Sequence, residues 1–145
     1  MTAYGLTEYT VQCQICNTLR HMGLMFFKIP NEQKFKLQNA RAFAGKMKAE
    51  GYLAGVADLA VLLDGGICVF LEVKRPAVKT INKNGREVIK SPAGKQSPAQ
   101  VEFENKVKLL GFNYFVVKSA AEAFAAIEQV KNAATVQSLK VGGTD

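Results

Sequence analysis

Asp58, Glu72 and Lys74 are the ionisable groups of an otherwise apolar stretch that flanks the tight turn Asp64-Gly65-Gly66. Apolar runs rich in β-branched and aromatic residues, joined by such a turn, predict a β-hairpin over residues 55–74. Both strands are apolar at successive positions, which predicts a place in the middle of a sheet covered on two faces. A three-residue loop at 64–66 pairs Leu63 with Ile67 and sets Asp58 opposite Glu72; a two-residue loop sets Asp58 beside Val73. Facing residues have Cβ atoms roughly 5 Å apart, and Glu72 and Lys74, two apart, share a face. Either register gathers two carboxylates and an ammonium at one end of a hydrophobic sheet, where charge without a partner is costly.

Two carboxylates and the Val73 carbonyl are hard oxygen donors suited to Mg²⁺ or Mn²⁺. A divalent ion there, with Lys74 placed to orient a water or neutralise developing charge, suits hydrolysis of a phosphodiester. The plainer alternative is that Asp58 caps a turn while Glu72 and Lys74 form an edge ion pair. The chain has no G-x-x-x-x-G-K-[ST] loop, so nothing supports a nucleotide cofactor. Cys13 and Cys16 form a C-x-x-C within a predicted helix and without a second pair, which argues against a zinc or redox centre. His21 reads as a helix-end residue.

The elements that position these groups follow in order. Thr7 is a predicted N-cap for a helix over residues 8–22, with Gly23 just beyond it. Val11, Ile15, Leu19 and Met22 make its apolar stripe, and Glu8 continues that stripe at the N-terminal end, either answering the helix dipole or reaching the Asp58/Glu72 cluster. A strand is expected over 24–29, ended by Pro30-Asn31, and a helix over 38–50 closed by Gly51. From Lys74 to Lys95 there are seven Lys/Arg (Lys74, Arg75, Lys79, Lys83, Arg86, Lys90, Lys95) against one acid, Glu87. Asn84-Gly85 within this stretch predicts a small projecting hairpin, and a basic loop beside a carboxylate cluster suits a phosphate backbone; a solvated loop is the alternative. Ser97-Pro98 opens the next helix, with Gln100 at its N3 position as a capping-box residue, and Gly111 ends it. A strand over 112–117 and a helix from the Ser119/Glu122 box to about Val130 complete the chain, with residues 132–145 expected to form a flexible tail after a single domain over 1–131. This order predicts an α/β fold, a small mixed sheet with helices on both faces.

The 145 residues suffice for one domain with a substantial core. A formal charge of +7 and a pI near 9.4 favour a polyanionic partner, nucleic acid before membrane. No apolar run reaches the roughly 18 residues that cross a bilayer, and residues 1–10 lack the pattern of a signal peptide. Three cysteines fit a reducing cytoplasm.

Asp58, Glu72-Val73-Lys74 and Gln100 resemble the motif of the PD-(D/E)xK nuclease superfamily. With Ile29-Pro30-Asn31, Ala54-Gly55-Val56-Ala57-Asp58-Leu59, Leu71-Glu72-Val73-Lys74, Ser97-Pro98-Ala99-Gln100 and Gly111, the chain from about Glu8 to Ile127 resembles the virus-type replication-repair nuclease (VRR-NUC) domain. The resemblance implies a restriction-endonuclease-like core and Mg²⁺- or Mn²⁺-dependent cleavage of structured DNA. It implies Asp58 and Glu72 as metal ligands, the Val73 carbonyl beside them, Lys74 as the catalytic lysine, Gln100 as the glutamine of the following helix and Glu8 as the acidic residue of the first. Small stand-alone members resemble phage proteins that dimerise and cut four-way junctions, which implies a homodimer, working in the host cytoplasm when phage-encoded. The family pattern has proline before the aspartate; Ala57 stands there instead, which loosens φ without removing a ligand. A non-catalytic nucleic-acid-binding module, or a nuclease for another nucleic acid, is the competing reading.

Overall fold

The computed structural model describes residues 5–30 and 40–142. Their elements run α1 (Glu8–His21), β1 (Met25–Lys28), α2 (Ala40–Ala49), β2 (Leu59–Leu63), β3 (Ile67–Val73), β4 (Val78–Ile81), β5 (Glu87–Ser91), α3 (Pro98–Leu109), β6 (Asn113–Val117) and α4 (Ala120–Gly142). The main sheet has the order β1-β2-β3-β6, antiparallel except for the parallel β3–β6 pair. The parallel pair requires a crossover, and α3 supplies it. Strands β4 and β5 form a separate two-stranded ribbon.

Strand alternation divides the core. Leu59 and Val61 of β2, Val69, Leu71 and Val73 of β3, and Val117 of β6 pack with Val11, Ile15 and Leu19 of α1 and Ala123, Ile127 and Val130 of α4. The opposite face carries Phe70, Tyr114 and Val116, which pack with Ala57 and with Phe103 and Val107 of α3. The result is a small mixed sheet between helices, the α/β architecture that the element order predicts.

Thr7 caps α1, its side chain accepting from the Thr10 amide, and Gly23 follows the C-cap at φ +70°. The hairpin takes the three-residue loop: Leu63 pairs with Ile67 and Leu59 with Leu71.

Two expected boundaries differ from the structure, and a third lies outside the described residues. Strand β1 is confined to Met25–Lys28. Helix α2 begins at Ala40 among the described residues, so the expected start at Gln38 lies outside them, as does Asn31. Helix α4 continues to Gly142, well past Val130. Its second half leaves Val136, Leu139 and Val141 exposed. Residues 131–141 contain no Gly or Pro, so helix propensity carries the segment where no apolar face does. No helix among the described residues is long and apolar enough to cross a membrane.

Candidate active site

The β2–β3 register places Asp58 one step beyond Leu59, opposite Glu72. Strand β2 ends there, and the Asp58 side chain continues the connection: the Val73 amide donates to its Oδ2 at 2.7 Å. On the other side the Asp58 carbonyl accepts from the Ile29 amide at 2.9 Å. Asp58 is thus fastened between the ends of β1 and β3.

Glu72 alternates with Leu71 and Val73, which belong to the α1/α4 face, and so points toward α3. It is fully buried at 0% exposure, and Lys74, on the same face, is 7% exposed. The Lys74 Nζ lies 3.3 Å from Glu72 Oε1. Gln100 completes the cluster from the first turn of α3. Its Nε2 donates to Glu72 Oε1 at 2.8 Å, and its Oε1 accepts from Lys74 Nζ at 3.0 Å. The same Oε1 accepts from the Ser97 amide at 2.8 Å, while Ser97 Oγ accepts from the Gln100 amide at 3.2 Å. The capping role and the site role of Gln100 are therefore one arrangement: capping fixes the side chain that spans Glu72 and Lys74.

Burial pushes the Glu72 carboxyl up to about 8; the Asp58 carboxylate adds to the rise and the Lys74 ammonium opposes it. Glu72 Oε2 is buried without a hydrogen-bond partner. An uncompensated carboxylate oxygen beside a second carboxylate is an electrostatic defect that a cation would repair.

Glu8 stands differently. It was expected on the buried face of α1, but it is exposed, and the stripe is buried only from Val11 onward. Its carboxyl is nevertheless raised, first by partial burial, with the Lys74 charge opposing, the Asp58 charge adding and the Arg75 charge opposing. Glu8 therefore sits at the polar end of the sheet, near the cluster rather than over the core.

The basic residues gather on one device. After Lys74 the chain leaves the sheet through Arg75 and Pro76 into the β4–β5 ribbon, which carries Lys79, Lys83, Arg86 and Lys90, with Lys95 just after it. Lys79 pairs with Glu87 at 3.6 Å. Arg75 ties the base of the ribbon, donating to Ser91 Oγ at 3.0 Å, and its carbonyl accepts from the Gly94 amide at 3.0 Å.

Over 85% of this chain and 97% of the other, the structure is similar to a solved structure described as a VRR_NUC domain, with a TM-score of 0.50 and 22% sequence identity. The chain has the VRR-NUC fold. No protein-family model and no curated protein matches. This fold is restriction-endonuclease-like, and Asp58, Glu72, Lys74 and Gln100 meet at the end of its central strands.

Among the described residues, no three His, Cys, Asp or Glu side chains come together as a group that could hold a metal. The donors at hand are the Asp58 and Glu72 carboxylates and the Val73 carbonyl, all hard oxygens, with the unpartnered Glu72 Oε2 among them. This donor set would suit a hard divalent ion, with Asp58, Glu72 and the Val73 carbonyl to hold it. Cys13 is exposed and Cys16 half-buried, both on α1.

Two supporting residues carry no chemical signature in the sequence. Gly55 has φ +82°, and a Cβ there would collide with the Ala99 carbonyl group and the Gln100 nitrogen. Its lack of a side chain lets the loop before Asp58 press against the turn that carries Gln100. Gln96 donates to Glu104 Oε1 at 3.0 Å and to the Tyr114 hydroxyl at 3.1 Å, joining the approach to α3 to strand β6. A glycine before a strand is the signal for the first; nothing in the local pattern marks the second.

Proposed function

We propose that the protein is a divalent-metal-dependent endonuclease that hydrolyses phosphodiester bonds in branched DNA. The observation that carries this reading is the buried Glu72, held by Gln100 and Lys74 beside Asp58 on a nuclease-type fold. Asp58, Glu72 and the Val73 carbonyl would hold Mg²⁺ or Mn²⁺, with Glu8 the nearby acid. When bound, the ion supplies Lewis acidity at the scissile phosphate.

The side chains supply the rest. Lys74 is a nearly buried ammonium fixed by two acceptors, so its charge is oriented before substrate arrives. It would position the attacking water and stabilise the negative charge that grows on the phosphoryl oxygens. Gln100 keeps Lys74 and Glu72 in register. Water adds to phosphorus and gives up a proton to solvent, one P–O ester bond breaks, and the leaving oxygen takes a proton from solvent. Arg75, Lys79, Lys83, Arg86, Lys90 and Lys95 would hold the phosphate backbone beside this centre. A homodimer acting in the cytoplasm would present two such centres for paired cuts across a junction.

The test compares a labelled four-way DNA junction with linear duplex DNA and with an RNA substrate in Mg²⁺, Mn²⁺ or EDTA. Paired metal-dependent cuts confined to the junction are expected. Binding without cutting in any metal would favour a non-catalytic module, and cutting of RNA instead of DNA would move the substrate class.

A further inference from the structure

The β4–β5 ribbon begins close after Lys74 and returns at Gly94, where a Cβ would lie 3.5 Å from the Lys74 side chain. Isolated two-stranded ribbons are marginal in water. Neither core cluster includes a residue of β4 or β5. Val78, at the base of the ribbon, lies against Gly5, whereas Ile81 and Ile89 face outward with no core to join.

Cross-strand pairing gives that face a definite pattern. Lys79 pairs with Ile89 and Ile81 with Glu87, so these four side chains share one face. Ile81 is 72% and Ile89 64% exposed. They occupy one diagonal of the face, and the Lys79–Glu87 ion pair spans the other. Lys83 and Arg86 flank the turn beyond Ile81, and Lys90 follows Ile89. An intact duplex backbone would engage the cations alone. Two exposed isoleucines collared by cations match a different ligand: a base out of its stack, its face against hydrocarbon and its flanking phosphates against Lys and Arg. A second copy of the same ribbon would instead bring like charges together.

We propose that the Ile81/Ile89 face is an apolar wedge that receives an unstacked base, so that the ribbon selects nucleic acid opened at a branch point. The proposal rests on the nuclease reading and names the surface that would give it structural selectivity.

The test uses a four-way junction carrying 2-aminopurine at the branch point, a second carrying it well inside one arm, and EDTA to prevent cutting. Wild-type protein is expected to raise fluorescence severalfold at the branch point and leave the arm probe unchanged. The paired substitutions Ile81→Ser and Ile89→Ser, both at exposed positions, are expected to abolish the rise and weaken junction binding by about tenfold, with affinity for linear duplex unchanged. A double variant that kept the rise would overturn the wedge. So would sedimentation showing a wild-type dimer and a monomeric double variant, since that assigns the face to a second copy. Adding Mg²⁺ or Mn²⁺ separates the two readings: a branch-point signal without cutting overturns the nuclease, and cutting without the signal overturns the wedge alone.

Discussion

Gln100 donates to Glu72 across 2.8 Å while its own carbonyl oxygen, by capping α3, accepts from the Ser97 amide. One side chain thereby couples the start of a helix to a carboxylate buried in the central sheet. Its remaining contact, the 3.0 Å bond from Lys74, brings the ammonium into the same frame. Positioning of this kind is worth most where charge is buried, because errors in geometry are not screened by water.

Replacing Gln100 with Ala should remove both site contacts and half of the capping box. Outer partners of this type typically change activity by about 10–100-fold. The expected result is a fall in cleavage rate of that order with junction affinity retained. Single-turnover cleavage beside an equilibrium binding titration checks it; an unchanged rate would show that Glu72 and Lys74 hold their places unaided.

Gly55→Ala should be more damaging than its size suggests. The position has φ +82°, and the added methyl meets the α3 backbone, which cannot move aside as a side chain could. Alanine at positive φ costs more than about 1 kcal/mol. We expect a clear loss of thermal stability, with cleavage lost at temperatures where the variant is still folded. A control at Gly65, where nothing lies within 4 Å at φ +80°, should show the strain alone and retain cleavage.

The raised carboxyl of Glu72 sets a pH dependence of stability. Below about pH 4.5 the group is protonated in folded and unfolded chains alike, and its burial carries no charge penalty. As pH rises toward about 8 the unfolded chain gives up its proton while the folded one keeps it, so stability falls and then levels off. The Glu8 shift acts in the same direction. Melting of metal-free protein should show this decline, Glu72→Gln should flatten it, and Mg²⁺ or Mn²⁺ should recover stability in the wild type near pH 8. A decline of equal depth in Glu72→Gln would place its origin elsewhere.

The cations of the ribbon should act on affinity rather than on chemistry. Lys83 and Arg86 flank its turn, and neither shows an ion pair among the described residues. Each phosphate contact removed should lower the slope of log K against log salt by about 0.9. The paired substitutions Lys83→Ala and Arg86→Ala are therefore expected to weaken binding with a flatter salt dependence, leaving the cleavage rate at saturation intact. A steep slope retained in the double variant would move the DNA path off the ribbon.

Much of this architecture was legible because local and long-range signals agree. The Asp64-Gly65-Gly66 turn left two registers open, both of which bring Asp58 to Glu72-Val73, and the structure takes the one that sets Asp58 opposite Glu72; period-two alternation put Glu72 and Lys74 on one face. Thr7 and Ser97 marked their helix starts through their own side chains. Glu8 lies on the helical stripe by spacing, but spacing does not reveal where the sheet beneath the helix ends. An apolar stripe marks α4 only as far as Val130, and the residues beyond it stay helical without one. The Gln96 link to Tyr114 joins segments 18 residues apart, which no local pattern records.

The central claim is that Asp58, Glu72 and Lys74 form a metal-dependent hydrolytic centre. Its most direct test is cleavage of a labelled four-way junction by wild-type protein and by Lys74→Ala, in Mg²⁺, Mn²⁺ and EDTA, with folding checked by circular dichroism. We predict metal-dependent cutting by the wild type and none by the folded variant, while both bind the junction. Cutting by Lys74→Ala at the wild-type rate, or wild-type cutting that persists in EDTA, would contradict it.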